Sequence, residues 1–481
     1  MRAKIRSFGE VNFADAQLGD VRRSRRLANT ADLMCRRPGG SLPQKLNNPK
    51  DLKAFYRLVR CDQVTHAAIL SAHREATQKK IEANRGPVLI LHDSTELDYT
   101  THLSLAGELG QIGNGNYRGY IAQNSLAVNP GNRSVLGLYN QVLHHRDKVP
   151  DGETMAQKRE RESRESLLWL HGTEPLPADR KLIDVCDQGA DTFEFLEHEV
   201  RSGRRFVIRA AYDRAIVVGH EDVGESETGY LRSYAQELPE AGRWTLEVTS
   251  KVEKKSPKRK GKRRTVRRVA RRATMAVSFA AVQIKPPRKK QGKHGNTPLL
   301  VWVVRVWEVD PPEGQERLEW FLITNEPVRS FEGAYRVVGW YECRWIVEEY
   351  HKGLKTGCRI ESPQFTSEDR LQPTIALLSI VTLTLLAMRD ASRRSDARQR
   401  RATEILCEDY VAVLSAWRHG TIKRDWSIHD FYYALARLGG HQNRKSDHPP
   451  GWQTIWNGWQ DLQAMVAGAD AMKQLKNCGQ T

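Results

Sequence analysis

The sequence has few cysteines, and they follow no pattern that would pair them or bind zinc. Seven cysteines are scattered over 481 residues without a C-x-x-C pair. Disulfide frameworks and zinc sites both need paired or regularly spaced cysteines. We therefore expect reduced thiols in a cytoplasmic protein, with neither a disulfide framework nor a zinc site.

Long apolar runs are also missing. The longest run extends from Thr374 to Met388, short of the roughly 20 residues that cross a bilayer, so we expect a buried helix there. Arg2, Lys4 and Arg6 are not followed by an apolar core, and no secretory signal is therefore expected. Both absences argue against a membrane protein.

Positive charge is plentiful and concentrated. The chain has 76 Lys and Arg against 58 Asp and Glu, a net charge of +18. Residues 251–293 hold 18 basic residues against one acid, and residues 1–60 hold 14 against 5. Two segments thus carry the whole excess. Such clustering favours contact with nucleic-acid phosphates over a general contribution to solubility.

The secondary-structure signals predict an α/β protein with helical ends. Residues up to about 65 read as helices, and short apolar runs such as VLILHD and LIDVCD read as buried strands. These strands alternate with helices, among them 152–170, which indicates a mixed sheet. From about 213 to 325, alternating stretches predict an inserted antiparallel β subdomain, with the basic run at a hairpin tip.

The C-terminal part of the sequence reads as helical. Residues 331–357 predict one long helix that ends at a glycine cap, Gly357, and helices continue beyond about 370. The predicted domains are 1–65, helical; 66–370, catalytic, with the β subdomain inserted; and 371–481, helical.

Three acidic residues lie on three different predicted elements. Asp93 and Asp187 each end a buried strand, and Glu348 lies within the long helix. Mg²⁺ prefers oxygen ligands, and two such ions can activate an attacking oxygen and stabilise a leaving one. Taken singly, each aspartate is more often a turn former or a helix cap.

A polar stripe on the predicted long helix strengthens the metal hypothesis. Tyr341, Arg344, Glu348 and Lys355 are spaced 0, 3, 7 and 14, so on a continuous helix they fall within roughly 60° of one another. Ion pairing in solvent could explain such a stripe. The helix has no clean apolar face, however, and a charged stripe on a buried helix favours a functional site.

The stripe, written YECRWIVEEYHKGLK, matches Y-x2-R-x3-E-x6-K and resembles the signature of the insertion-sequence-four family of bacterial DDE transposases. Asp93 in LHDSTELDY and Asp187 in VCDQGAD resemble the first two acids of that family. The similarity extends from LGDVRRSRRL to WQTIWNGWQDL and covers nearly the whole chain. Gln188 and Gly189 depart from the charged pair that a relative carries after the second acid.

This resemblance implies a ribonuclease-H-like core and a cut-and-paste transposase. Asp93, Asp187 and Glu348 would hold two Mg²⁺ ions, which Mn²⁺ may replace. The enzyme would cleave transposon ends through a hairpin intermediate and transfer the 3′ ends into target DNA. The implied partners are double-stranded DNA, as terminal inverted repeats and as target, and a second copy of the chain in a synaptic homodimer. The implied location is the bacterial cytoplasm, in association with the nucleoid.

The resemblance also assigns DNA contacts. Tyr341, Arg344 and Lys355 match positions that grip phosphates, and Trp320 matches a tryptophan that stacks on a flipped base, with Trp345 nearby. Further positions that match DNA-approaching residues of the family are Arg209, His351 and Lys352 in the catalytic domain and Arg22, Arg23, Arg26 and Arg57 near the N-terminus. Helices with Trp452, Trp456 and Trp459 resemble its dimerisation region, although these aromatics suit an ordinary core equally well.

Two alternatives remain open at this point. One is a metal-dependent nuclease of the same fold that does not join strands. The other is a transposase-derived DNA-binding protein that has lost catalysis, against which the intact acids and the complete polar stripe argue.

Overall fold

A computed structural model describes residues 6–146, 149, 151–219, 226–255, 264–289, 292–423, 425–444, 447 and 449–478. The chain divides into two compact units. Unit 1 comprises Met1–Gly86, Ser94–Asp147 and Trp345–Thr481, and unit 2 comprises Pro87–Asp93 and Lys148–Arg344. The mixed α/β class is confirmed, whereas the ribonuclease-H-like assignment and the boundaries at 65 and 370 stay predictions.

The α-helices follow one another along the chain with short connections. In chain order they are α1 Phe8–Phe13, α2 Val21–Arg36, α3 Leu42–Lys45, α4 Pro49–Leu58, α5 His66–Ala83, α6 Met155–Glu160, α7 Leu168–Thr173, α8 Phe193–Arg201, α9 Leu231–Glu237, α10 Phe331–Glu342, α11 Trp345–Lys352, α12 Glu368–Val381, α13 Leu383–Arg393, α14 Glu408–His419, α15 Ile428–Leu438 and α16 Trp452–Cys478.

The strands concentrate in the middle of the chain. They are β1 Val88–Asp98, β2 Gly110–Gln111, β3 Arg118–Val128, β4 Val135–His144, β5 Leu182–Cys186, β6 Arg205–Arg209, β7 Ala215–Gly219, β8 Ser226–Tyr230, β9 Gly242–Val248, β10 Lys251–Lys255, β11 Arg264–Arg268, β12 Arg271–Ile284, β13 Leu299–Val309 and β14 Glu319–Thr324.

Side-chain caps define the N-terminal helices of unit 1. The Asp20 carboxylate accepts from the Arg22 backbone N–H at 2.8 Å and starts α2, while Asn48 and Thr65 cap α4 and α5 in the same way. Such caps satisfy backbone donors that have no partner within the helix. The predicted helical N-terminus is confirmed, including the start of α2 at its aspartate.

A pair of long antiparallel strands lies beside these helices in unit 1. β3 and β4 pair from Ile121 opposite His144 to Val128 opposite Val135. α5 packs directly on β4, where a Cβ at Gly137 would lie 2.0 Å from the Thr77 hydroxyl oxygen. Only a glycine therefore lets the helix approach this closely.

The C-terminal part of unit 1 is helical, as predicted. Glu368–Arg393 is one helical stretch of the described chain that is long and apolar enough to cross a membrane, but 83% of its apolar window is buried. The expected buried helix over the apolar run is thus confirmed. The cysteines whose side chains are described form no disulfide with one another; they are Cys35, Cys61, Cys186, Cys343, Cys358 and Cys407.

Unit 2 is built on one mixed sheet with the order β1-β5-β6-β14-β13-β12-β7-β8, and β9 also pairs with β12. β1, β5 and β6 are parallel, whereas the remaining pairs are antiparallel. α8 covers one face with a core that includes Phe195, Phe206 and Ile323.

The antiparallel strands from 213 to 325 extend this sheet, because β14 pairs with β6. The short helix α9 lies among them, although the sequence showed few helical signals there. β10 and β11 pair antiparallel, which confirms a hairpin in the basic segment. Its predicted tip, residues 256–263, lies outside the described residues.

The helix predicted over 152–170 is wrong in its extent. α6 ends at Glu160 and α7 begins at Leu168, and between them lie a non-helical stretch and the 3₁₀ turn Glu165–Leu167. In that segment the buried Arg164 guanidinium binds both oxygens of Glu194 at 2.8 and 2.9 Å. This tertiary contact draws the segment towards α8 and overrides its local helical preference.

The single long helix predicted over 331–357 is also interrupted. The backbone N–H groups of Cys343 and Arg344 donate to the carbonyls of Trp340 and Tyr341, three residues earlier, so the turn between α10 and α11 is tighter than an α-helix. Residues Gly353–Gly357 then form a π-helical turn. The predicted cap at Gly357 is wrong, since the left-handed residue that follows is Arg359 (φ 51°).

Candidate active site

Asp93 and Asp187 lie at the same edge of the unit 2 sheet. β1 and β5 run parallel, and their pairing ends with His92 opposite Cys186. Asp187 follows the end of β5 as predicted, whereas β1 continues past Asp93 to Asp98, so the prediction that Asp93 ends its strand is wrong. The carboxyl ends of neighbouring parallel strands meet at one edge, where ligands commonly bind in α/β sheets. The two aspartates predicted from strand ends are therefore brought to neighbouring positions.

Strand alternation places these aspartates on one face of the sheet with two other predicted residues. Val185 pairs with Val207, and Arg209 pairs with Leu322, so the register is continuous from β5 to β14. Side chains two residues apart point to the same face. The face opposite the α8 core therefore carries Asp93, Asp187, Arg209 and Trp320.

α10 covers this same face and supplies cationic and phenolic groups. The Arg205 guanidinium lies over the Trp340 ring at 5.6 Å from its centroid. At the end of α10, the Arg344 guanidinium Nη1 lies 2.8 Å from Asp93 Oδ2, and both side chains are largely buried. Arg344 therefore balances the Asp93 charge where water is scarce.

Tyr341 joins this group of side chains. Burial raises the pKa of the Tyr341 hydroxyl, while the positive charges of Arg344 and Arg209 act to lower it and Asp187 acts to raise it. Each of these influences requires proximity. Asp93, Asp187, Arg209, Tyr341 and Arg344 are thus assembled within unit 2.

A tight turn fixes the Asp187 carboxylate. Its Oδ1 accepts from the Gly189 backbone N–H at 2.8 Å and caps the short 3₁₀ turn Gln188–Ala190. A Cβ at Gly189 would lie 2.8 Å from the Trp169 ring and 3.1 Å from Asp187 Oδ1. Gly189, where the sequence departs from the family relative, therefore has a structural role, because a side chain there would disturb Asp187.

The opposite face of the same strands, which α8 covers, holds a buried polar cluster that the sequence analysis missed. His92 Nε2 and Asp184 Oδ1 are 2.7 Å apart, and both side chains are almost fully buried. Glu199 on α8 is completely buried, and the pKa of its carboxyl is held well above the usual value by burial and by the charge of Asp184. Arg204 Nη1 lies 3.9 Å from Asp184 Oδ2. The signal in the sequence was a polar residue inside an otherwise apolar strand, His92 in β1 and Asp184 in β5.

The remaining predicted catalytic-domain residues lie in unit 1. Glu348 is half-buried on α11, and Trp345 at the start of that helix is 58% exposed. His351 is buried, with Nε2 at 3.1 Å from the Asn124 amide nitrogen. The stripe argument does not hold as made, because a tight turn and a π-turn separate residues that it placed on one continuous helix.

Two lysines follow Glu348 in unit 1. Lys352 is exposed at the end of α11. Lys355 lies in the π-helical turn, where its Nζ is 3.7 Å from Glu361 Oε1 and the side chain is partly exposed. A weak, solvated ion pair of this kind leaves a lysine able to exchange its partner for a phosphate.

The predicted N-terminal arginines differ in how firmly they are held. Arg22 is 84% exposed and pairs with Asp20 at 2.7 Å. Arg23 donates to the Leu18 carbonyl and to Gln63 at 2.9 and 2.8 Å, and Arg26 pairs with Asp51 at 3.1 Å. Arg57 is exposed at the end of α4. Arg25, which the prediction omitted, is exposed on α2 as well.

Helices with exposed arginines are a common feature of nucleic-acid-binding domains. Residues 5–64 match the family model described as transposase DNA-binding. The match supports a DNA-binding protein of the transposase kind.

Proposed function

We propose that this chain is a cut-and-paste DNA transposase that cleaves transposon ends and transfers them to target DNA by two-metal phosphoryl transfer. The observation that carries the proposal is the position of Asp93 and Asp187 side by side where the pairing of β1 with β5 ends, with Arg209, Tyr341 and Arg344 on the same sheet face. The transposase DNA-binding match at residues 5–64 supports DNA as the substrate.

We propose Glu348 as the third acid, four residues after Arg344 in the sequence. Carboxylate oxygens suit hard divalent cations, and Asp93 already accepts a cationic group, the Arg344 guanidinium. Two Mg²⁺ ions, or Mn²⁺ in their place, would activate the attacking oxygen and stabilise the leaving one. Asp93, Asp187 and Glu348 would hold them.

The basic side chains on this face would position the DNA backbone. Arg209 and Arg344 each present a planar guanidinium that can bind two phosphate oxygens. Arg344 would exchange its contact with Asp93 for a phosphate when DNA and metal arrive, since the metal charge then replaces its own. The Tyr341 hydroxyl, which is protonated at neutral pH, would donate to a phosphate oxygen.

Base stacking and further backbone contacts would complete the active site. Trp320 on β14 is the proposed stacking surface for a base flipped out during hairpin formation, and the exposed Trp345 is a second one. We propose His351, Lys352 and Lys355 as DNA contacts of unit 1.

The remaining proposals concern assembly. Arg22, Arg23, Arg26 and Arg57 would bind the terminal inverted repeats, and residues 371–481 would form the homodimer contact of the synaptic complex. The cytoplasmic, nucleoid-associated location would follow from the DNA substrate.

The deciding experiment incubates the protein with linear DNA that carries its native transposon ends, in the presence of Mg²⁺. Asp93→Ala, Asp187→Ala and Glu348→Ala should each reduce the appearance of hairpin-ended products by about 1000-fold or more, as expected for members of one catalytic set. Binding of the ends should persist. Asp98→Ala is the matched control, because this exposed acid ends the same strand β1.

The outcomes separate the alternatives. Normal cleavage by any of the three alanine variants contradicts the metal assignment. Cutting by the parent protein without joining to target DNA favours a nuclease, and end binding without any cutting favours a DNA-binding protein that has lost catalysis.

A further inference from the structure

A basic cavity lies among the C-terminal helices of unit 1. None of the DNA contacts predicted from the sequence is among its lining residues. Its volume is about 620 Å³. The end of α14, the start of α15 and the connection between them form most of its wall, and the segment after α13 closes one side. Its principal charged and aromatic residues are Arg398, Arg418, Lys423, Trp426, Tyr433 and Arg437.

Four of these residues are cations drawn from separate elements. In the described part of the chain, Arg398, Arg418, Lys423 and Arg437 have no carboxylate within salt-bridge distance, and all four are exposed. Two acids, Asp425 and Asp430, also line the cavity. Four cations against two acids leave an excess of positive charge around one opening.

One of the two acids is already engaged in local structure. Asp430 Oδ2 accepts from the Ser427 hydroxyl at 2.7 Å, and the Asp430 backbone N–H donates to the same hydroxyl at 3.0 Å. This arrangement starts α15 and holds the carboxylate near the helix terminus. Asp430 therefore serves to build the cavity wall more than to neutralise its cations.

The positive charge acts on a histidine in the wall. The pKa of His419 is lowered first by desolvation and then by the neighbouring charges of Lys423 and Arg418. Cations at the end of α14 are expected to interact favourably with the helix dipole, which explains Arg418 and His419. The same explanation covers Arg437 in the last turn of α15. It does not cover Arg398 or Lys423, which lie outside the helices.

Aromatic rings lie between the cations. The His429 ring stacks on Tyr433 with centroids 4.5 Å apart, and Trp426 contacts His419 edge-on at 5.2 Å. Interleaved arginines and aromatic rings are typical of surfaces that bind nucleic acid, where guanidinium groups take phosphates and rings contact sugars or bases.

We propose that this cavity binds the phosphate backbone of DNA and forms an additional DNA-binding surface in the C-terminal helices. The choice of DNA follows from the exposed cations, their aromatic neighbours and the DNA-binding family match of the N-terminal segment. The contact would be independent of sequence, because phosphates carry no base information.

The test measures binding of the full chain to a duplex of random sequence at several salt concentrations, without divalent metal. Arg418→Ala/Lys423→Ala and Arg398→Ala/Arg437→Ala each remove two cavity charges. Arg394→Ala/Lys473→Ala is the matched control, because it also removes two charges from exposed C-terminal positions, where both residues pair with carboxylates. Circular dichroism verifies that all variants fold.

Each cavity pair should reduce the slope of log affinity against log salt by about two, since each lost phosphate contact contributes about 0.9. The control pair should change it by less than half as much. Equal slopes for cavity and control variants overturn the inference, including the case in which the cavity binds an acidic protein.

Failure of this inference is distinguishable from failure of the proposed function. The binding assay contains no metal and measures no cleavage. A protein that cleaves transposon ends but shows equal slopes rejects the cavity alone, and one that shows the slope difference but never cleaves rejects the transposase proposal alone.

Discussion

At the scale of single residues, the most unusual group is the Glu199 carboxyl. It is completely buried beside Asp184, and in the described residues neither of its oxygens has a hydrogen-bond partner of good geometry. An isolated buried carboxylate is costly, so the group favours its neutral form. The cluster of Glu199, Asp184 and His92 lies on the opposite face of the strands β1 and β5 from Asp93 and Asp187, and its protonation therefore bears on the stability of the sheet that positions them.

We predict that Glu199 makes the protein less stable as pH rises. Its pKa in the folded state is raised above the ordinary 4.5. The folded state therefore holds the proton more tightly than the unfolded state, and the stabilisation present below pH 4.5 is lost as pH increases. Glu199→Gln should remove that loss and reduce the change in unfolding free energy between weakly acidic and neutral pH by at least about 1 kcal/mol.

Urea unfolding at a series of pH values checks this. Replacement of an exposed carboxyl, Glu82→Gln, should leave the pH dependence of the parent unchanged. If Glu199→Gln follows the parent curve at every pH, the buried carboxyl does not titrate as described.

At the scale of elements, glycines set how closely helices and strands approach. α15 and α16 meet at two of them. A Cβ at Gly458 would lie 1.9 Å from the Leu435 carbonyl oxygen, and a Cβ at Gly439 would lie 1.9 Å from the Thr454 carbonyl oxygen. Both obstacles are backbone atoms, which cannot rotate away as a side chain can. The packing of the two helices therefore depends on these positions.

Two substitutions on α16 should have opposite effects. Gly458→Ala should destabilise the C-terminal helices by about 1–3 kcal/mol or more, because the helices must separate to admit the methyl group. Gly468→Ala meets nothing within 4 Å and should stabilise by about 0.5–1 kcal/mol, because alanine is the better helix former. Thermal unfolding measures both, and a destabilising Gly468→Ala or a neutral Gly458→Ala would contradict the packing argument.

At the scale of the whole molecule, the net charge of +18 is concentrated in two segments. One contains the N-terminal helices that match a transposase DNA-binding family. The other contains the β10–β11 hairpin, an extension of unit 2. Local charge of this density raises the affinity for DNA of any sequence and makes that affinity dependent on salt.

Charge removal from the hairpin should therefore weaken nonspecific DNA binding. Arg264→Gln/Arg267→Gln on β11 should lower the affinity for competitor DNA and reduce its salt slope by about two. Arg243→Gln/Arg272→Gln removes the same charge from exposed positions that pair with Glu240 and Glu247, and it should have a smaller effect. Electrophoretic mobility shifts in rising salt provide the comparison, and equal losses for the two variants would reject a DNA contact by the hairpin.

The sequence predicted much of this molecule from local signals alone. Apolar runs that end in aspartate located β5 and the buried first half of β1, because a buried strand needs a continuous apolar stretch whatever surrounds it. The continuation of β1 to Asp98 was missed, because its second half is partly exposed and polar. Helix caps at Asp20 and Thr65 are equally local. The gathering of Asp93 and Asp187 at one edge follows from parallel pairing of those two strands.

Other features were decided by tertiary contacts that no local pattern encodes. The helix expected over 152–170 breaks where Arg164 reaches Glu194, thirty positions along the chain. The split between α10 and α11 depends on a few backbone hydrogen bonds. The basic cavity beside α14 and α15 is lined by four cations that the fold brings together from separate segments. Local pattern and composition determine which segments become helices or strands. Contacts between residues far apart in the sequence determine where those helices and strands end and which side chains they bring together.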